Sequence, residues 1–461
     1  MKTKLKLLVG SIILITLFNC EKEPLDTTEN DDYNSVGNDF KTYNNGMLKS
    51  YSNDAVIKWN EALSTVLDNK IPQPTEARIY VMVMLAMHDA LNNIVPKYET
   101  YGLDNLDVDA SDVSKKNIEA IADAAVGQAA HDIVVRLYPP SKNSIDLLLE
   151  TSLSQISDVD SKEKGISIGK AAASAIIIKR QSDFALGFTS FVGPVGPGLY
   201  QADYMPYAIA FPPVWPAHAV YGANLGAYTP FGIESGDQFR DEEPYDINSA
   251  AYTADYIEVK TVGCNGCQDR TAEQTEIASF WHESNASMMN RIARILVTQQ
   301  NLNGWEAARV LGLVQMSVMD SYITSFDGYY YYNFWRPITA IRNGDSDGNP
   351  DTVGNPSWSA LFTTPPTPEF PSTHGYASGA TVAVLQLYFK SETSPFTLTS
   401  PYYLPGVERT MNTLEQIADE CSVSRIYAGL HFRHSTEVSQ YQGYELGQYV
   451  FENNLRQLKN K

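Results

Sequence analysis

Cysteine and positive charge are both scarce in this chain. Four cysteines in 461 residues give one close pair, Cys264-Asn265-Gly266-Cys267, which is half of a zinc site at most. It reads as a local disulfide closing a loop, with a redox motif as the alternative. Cys421 reads as a small buried apolar residue. Lys and Arg number 34 against 54 Asp and Glu, for a net charge of −20. That balance excludes a broad basic face for nucleic acid or anionic lipid. Any anion site must then be a local pocket of arginines. Long apolar runs are also missing. The stretch from Leu7 to Phe18 is too short to span a membrane comfortably. No internal repeat stands out, and no glycine-rich turn sits in the strand–helix setting of a phosphate loop. The acidic run from Asp345 to Asp351 lacks the distal Glu of a calcium loop and reads as a surface turn.

What is present begins with an export signal over 1–19. Lys2, Lys4 and Lys6 precede the apolar run, which ends Leu17-Phe18-Asn19-Cys20. That ending resembles a bacterial lipobox and predicts lipidation of Cys20. An ordinary secretory signal is the alternative, because Asn19 departs from the usual small residue. Residues 20–53 are acidic and polar and read as a tether. Residues 54–461 show no composition break and read as one large domain.

Helical periodicity dominates that domain. It is visible over 54–68, 75–94, 115–137, 142–157 and 161–183, then over 270–285, 286–300 and 303–325, and finally over 374–390, 408–420 and 436–456. The stretch 188–232, rich in Gly, Pro and aromatics, reads as a long ordered loop. The expected class is all-α.

Three short segments carry the chemistry. They are Trp335-Arg336-Pro337, Pro371-Ser372-Thr373-His374, and Ser424-Arg425 with His431. Together they offer two guanidinium forks, two imidazoles, a hydroxyl and a helix N-terminus, a donor set suited to a tetrahedral oxyanion. Taken alone, Ser372 or Thr373 is also a plausible N-cap, and His431 a core residue. Four consecutive tyrosines, Tyr329 to Tyr332, read as pocket wall and core. His88, His131, His218, His282 and His434 read as structural or surface residues.

In this order the segments resemble the motifs of the type 2 phosphatidic acid phosphatase and vanadium-dependent haloperoxidase superfamily. That pattern runs Lys, six residues, Arg-Pro; Pro-Ser-Gly-His; Ser-Arg, five residues, His, three residues, Asp. Here Tyr329 stands at the Lys, Thr373 at the Gly and Ser435 at the Asp. Further segments resemble bacterial haloperoxidases, among them His88-Asp89-Ala90, Asn290-Arg291-Ile292-Ala293 and Asn333 to Arg342. The resemblance covers roughly 55 to 455.

The resemblance implies helical bundles around a central site holding vanadate. His431 would ligate vanadium and His374 would be the acid–base group. Arg336, Arg425, Ser372, the N–H near Thr373, and Tyr329 in place of the Lys would face its oxygens. The implied activity is oxidation of halide by hydrogen peroxide. An acid phosphatase with a phosphohistidine at His431 is the second reading, since vanadate mimics the phosphoryl transition state. A surface lipoprotein with a decayed site is the third, since a phenol lacks the charge of the Lys. The missing Asp would orient the His; Ser435, Asp89 and Asp327 are the replacements considered. The expected location is the bacterial outer membrane, facing the periplasm or the cell surface, with the lipid as the only membrane contact and no nucleic-acid partner.

Overall fold

The computed structural model describes residues 46–202, 219–390 and 394–458. Cys20, the expected export signal over 1–19 and His218 lie outside them. Thirteen α-helices run through the described residues. The first five are α1 (Asp54–Leu67), α2 (Gln73–Asn92), α3 (Ile118–Leu137), α4 (Lys142–Ser154) and α5 (Val159–Lys179). The middle group is α6 (Ala250–Val262), α7 (Ala272–Phe280), α8 (Asn285–Gln299) and α9 (Gly304–Tyr332). The last are α10 (Pro337–Arg342), α11 (Thr373–Phe389), α12 (Glu415–Tyr427) and α13 (Arg433–Asn453). None of these helices is long and apolar enough to cross a membrane.

The helices form because their apolar residues recur at helical spacing, and some of them start at a side-chain cap. Asn303 and Glu306 make a capping box at the start of α9, and Thr271 with Gln274 makes another at α7. The 29-residue α9 is buried along most of its length and packs on α2, α8 and α11. The closest helix pair is α11 with α13. Gly379 and Gly447 let the two backbones touch. A Cβ at Gly447 would lie 2.2 Å from the Ala380 carbonyl oxygen, and one at Gly379 would lie 2.3 Å from that of Gln440. Even alanine there would force the helices apart, at roughly 1–3 kcal/mol. This crossing fixes the start of α11 against the start of α13.

Buried carboxylates pin the loops to the bundle. Asp89 accepts the backbone N–H groups of Tyr101, Gly102 and Leu103, and Asp320 accepts those of Phe231, Gly232 and Ile233. The CxxC pair is a disulfide, Cys264–Cys267, and Cys421 is buried and free. The acidic turn closes on itself, with Asp345 accepting Gly354 N–H and Asp347 accepting from Asn349 and Thr352.

Three expectations on element positions need correction. The body begins before residue 54, since Met47, Leu48 and Tyr51 are buried in the core. Three apolar side chains in a polar run give no period to read. The segment 408–420 is not one helix. Strand β1 (Phe396–Ser400) pairs antiparallel with β2 (Leu404–Met411), and α12 starts only at Glu415. The alternation Phe396-Thr397-Leu398-Thr399 was the available strand signal. Helix α6 went unread because β-branched residues fill it. Its start is marked by Ser249, whose side chain accepts from Tyr252 N–H.

Candidate active site

The three segments meet at one cavity of about 470 Å³, whose wall includes Tyr329, Arg336, Thr373, His374, Arg425 and His431. Tyr329 comes from the last turn of α9. The chain then turns at Asn333, in the left-handed region at φ 50°, and Arg336 becomes the N-cap of α10. Ser372 is the N-cap of α11, so Thr373 and His374 open that helix with N–H groups that have no intrahelical acceptor. Arg425 lies in the last turn of α12. Six residues would put His431 on another face of a continuous helix. The helix stops instead: Gly429 takes φ 76°, and the Leu430 N–H returns to the Arg425 carbonyl at 3.0 Å. That fold-back brings His431 into the cavity beside Arg425.

The two arginines differ in what they already hold. Arg336 donates from Nε to the Thr367 carbonyl at 2.8 Å and from Nη2 to the Thr367 hydroxyl at 2.8 Å. Its Nη1 reaches the Leu430 carbonyl at 2.9 Å and His431 Nε2 at 3.0 Å. Arg425 is buried, yet its Nε and Nη1 have no protein partner. Burial lowers its pKa to about 10, with Arg336 adding repulsion. Ser372 Oγ and His374 Nε2 are also enclosed without a protein acceptor or donor. Arg425 and His374 line the cavity, Ser372 lies buried next to Thr373 in its wall, and no carboxylate lines it.

Both site histidines are held neutral. Burial and then Arg425 push His374 well below the usual imidazole range. Burial, Arg336 and Arg425 do the same to His431. His431 Nδ1 lies 3.0 Å from Glu369 Oε1, which also accepts the Phe432 N–H at 3.0 Å. The Ser435 hydroxyl donates to the other oxygen, Oε2, at 2.6 Å. Glu369 itself is fully buried, and burial raises its pKa to about 7 against the lowering by Ser435, Arg336 and Phe432 N–H.

Glu369 is the residue that sequence reading missed. It supplies the carboxylate that Ser435 lacks, and the Ser435 hydroxyl bonds to it. Asp89 and Asp327 do not serve: the first holds the 101–103 loop, and the second pairs with Arg240. A charged residue in the apolar, proline-flanked run Pro368-Glu369-Phe370-Pro371 was the signal, because burial there demands a partner. The other two departures also answer each other. The Tyr329 hydroxyl and the Thr373 hydroxyl lie 2.8 Å apart. Of the four tyrosines, only Tyr329 faces the cavity, and Tyr331 is 62% exposed under Arg240. His282, expected to be structural or on the surface, lines the cavity and stacks on Phe362 at 4.0 Å. His88, His131 and His434 lie elsewhere, bonded to the Glu99 carbonyl, to Asp132 and Asp146, and to the Glu243 carbonyl.

Comparison with known proteins agrees with the helical fold. Residues 309–460 match the family described as VCPO second helical-bundle domain. A vanadium chloroperoxidase of Curvularia inaequalis is 22% identical over an alignment covering 84% of this chain and 79% of that protein. A bacterial vanadium-dependent iodoperoxidase structure superposes with a TM-score of 0.68 at 23% identity, covering 88% of this chain and 97% of that one. An apo-type bacterial vanadium-dependent chloroperoxidase superposes at 0.66 with 15% identity, covering 83% and 94%.

Proposed function

We propose, for a chain that belongs through residues 309–460 to the VCPO second helical-bundle family and has the vanadium haloperoxidase fold, that the cavity binds vanadate and serves a peroxide-dependent halide oxidation. One observation carries the reading: Arg425 is buried, faces the cavity and has two donors without a protein partner. Such groups are costly to enclose unless an anion meets them.

The residues present fit vanadate. Arg425 Nε and Nη1, Ser372 Oγ and the leading N–H groups of α11 would hold its oxygens. His431 would ligate the metal through Nε2, because its Nδ1–H is committed to Glu369. The Arg336 contact to Nε2 would then pass to an oxygen. Bound vanadate supplies a Lewis-acidic centre that activates hydrogen peroxide toward halide. His374 is neutral with Nε2 free, so it would be the residue that takes and returns a proton at a bound oxygen. Among the described residues no group of three or more His, Cys, Asp or Glu could hold a metal ion, and vanadate held by one imidazole and many donors needs none. The paired departures, Tyr329 with Thr373 and Ser435 with Glu369, support a retuned site over a decayed one.

The test is oxidation of iodide or bromide by hydrogen peroxide after loading with orthovanadate. Activity should vanish in His431→Ala and fall with added phosphate. Cleavage of a phosphomonoester through His431 with no halide oxidation would establish the phosphatase reading instead. We further propose that Cys20 is lipidated and anchors the enzyme at the outer membrane. Metabolic labelling with a fatty acid should mark the wild type and spare Cys20→Ala; equal labelling would refute the anchor.

A further inference from the structure

The chain entering the Cys264–Cys267 disulfide packs on the turn that carries His431. Gly263 lies backbone to backbone with Gly429. A Cβ on Gly429 would stand 2.3 Å from the Gly263 carbonyl oxygen, and one on Gly263 would stand 2.6 Å from Gly429 Cα. Gly429 is the left-handed residue at which α12 folds back to bring His431 beside Arg425. Arg270 ties the same two segments together. Its Nη1 donates to the Val262 carbonyl at 2.8 Å, to the Cys264 carbonyl at 2.6 Å and to the Tyr427 carbonyl at 3.5 Å. A third segment is laced to both. Leu361 N–H donates to the Gly263 carbonyl at 3.0 Å, Asn265 N–H to the Ser359 carbonyl at 2.8 Å, and Phe362 N–H to the Ala428 carbonyl at 3.5 Å. That segment continues along the cavity wall to Thr367, which holds Arg336.

The disulfide can be reached from outside. Asn265 and Gly266, between its two cysteines, are exposed, and both cysteines are partly so. Exposed disulfides are the readily reduced kind. The loop it closes is also short. Stabilisation by a cross-link grows with the length of chain enclosed, so this one contributes less to the whole fold than a long-range bridge would. Its constraint is local, on the 263–267 backbone that meets Gly429, Arg270 and Leu361.

We propose that this disulfide is a redox control on the oxyanion site: a dithiol opens it and loosens the support under Gly429, and hydrogen peroxide closes it and restores the position of His431. The control rests on the oxyanion site proposed above. In opening, a thiolate of the dithiol attacks one sulfur of the pair and the S–S bond breaks. The second thiol of the reagent then displaces the other cysteine. Cys264 and Cys267 are reduced to thiols while the dithiol is oxidised to a disulfide. In closing, one cysteine thiolate attacks a peroxide oxygen, the O–O bond breaks and water leaves, giving a sulfenic acid. The other thiol attacks that sulfur and releases a second water, restoring the disulfide.

The full chain is treated with dithiothreitol, freed of it without oxygen, and titrated with orthophosphate, which neither thiols nor peroxide alter. Reduction should weaken binding by about tenfold, the lower end of the effect of groups that orient a ligating histidine. Brief exposure to hydrogen peroxide, then removed, should restore the original affinity, and the denaturant midpoint should barely move between the two states. Cys264→Ser combined with Cys267→Ser should bind as the reduced chain does and respond to neither reagent, which sets aside Cys421. Arg270→Gln, with the disulfide intact, should bind weakly as well and lose most of its dependence on reduction. Equal affinity of the wild type in the two states would make the disulfide a surface staple and overturn the control while leaving the oxyanion site standing. A loss that peroxide does not reverse, or a response to dithiothreitol in the double variant, would overturn it too. No phosphate binding in either state would refute the oxyanion site and the control together.

Discussion

Two buried arginines, on different helices, have opposite surroundings. Arg291 in α8 meets both oxygens of Glu283 and the Thr399 carbonyl, and its pKa is raised, with burial opposing and Glu283 prevailing. Arg425 in α12 is enclosed without a carboxylate, and burial lowers its pKa. The first region is complete in itself. The second holds positive charge that the protein does not answer. The contrast separates an arginine that builds the fold from one positioned for something brought from outside.

The largest effects break this contrast directly. Arg291→Ala would leave Glu283 buried without its cation and should cost about 3–5 kcal/mol of stability. Arg425→Ala removes an uncompensated charge, so it should fold with equal or higher stability while losing oxyanion binding. Denaturant unfolding and phosphate titration of the two variants would reverse the account if Arg425→Ala were the less stable protein.

Glu369 sharpens the contrast at the next level, since it orients His431 without touching the anion. Glu369→Gln should lower vanadate affinity by about 10–100-fold, the range for partners of metal-ligating histidines. Ser435→Asp, which restores the family residue, should weaken binding too, because two carboxylates would then crowd one buried imidazole. Tighter binding in Ser435→Asp would show that Glu369 is not the working carboxylate.

Acidity gives a third test. Burial and Arg425 hold His374 neutral in the free protein. A bound dianion offsets that repulsion and raises the imidazole pKa, so the complex takes up a proton more readily than the free protein as pH falls. Affinity for sulfate, whose charge is constant over this range, should therefore rise as pH falls from 7.5 to 5.5, by up to about tenfold per unit for each proton taken up. Calorimetric titration showing a flat profile would mean that His374 does not face the anion.

The smallest effect concerns Tyr329. Its hydroxyl is paired with Thr373, so Tyr329→Lys alone breaks that bond and adds a third cation beside Arg336 and Arg425. Tyr329→Lys with Thr373→Gly should bind vanadate more tightly than either single variant, with a coupling of about 0.5–3 kcal/mol. Additive effects would show that the two departures arose independently.

Much of this was legible beforehand. The all-α class followed from periodicity, and Arg336, Thr373, His374, Arg425, His431 and Tyr329 do line one cavity. Ser372 sits beside them with a free hydroxyl. What escaped depends on distance in space. Glu369 lies 62 residues from His431, and no spacing rule connects a loop carboxylate to an imidazole across the pocket. His282 looked like any histidine beside a tryptophan until Phe362, far along the chain, was found stacked on it. The β1–β2 hairpin was lost to a helical reading of the end of its second strand, where the adjacent charged residues Glu408 and Arg409 obscure the alternation.

The central claim is that the unanswered charge of Arg425 exists for an oxyanion. Equilibrium dialysis against orthovanadate, followed by metal analysis, tests it most directly. Wild-type protein should retain one vanadium per chain, orthophosphate should displace it, and Arg425→Ala should retain none. Wild type that keeps no vanadium, or Arg425→Ala that keeps as much as wild type, would contradict the account.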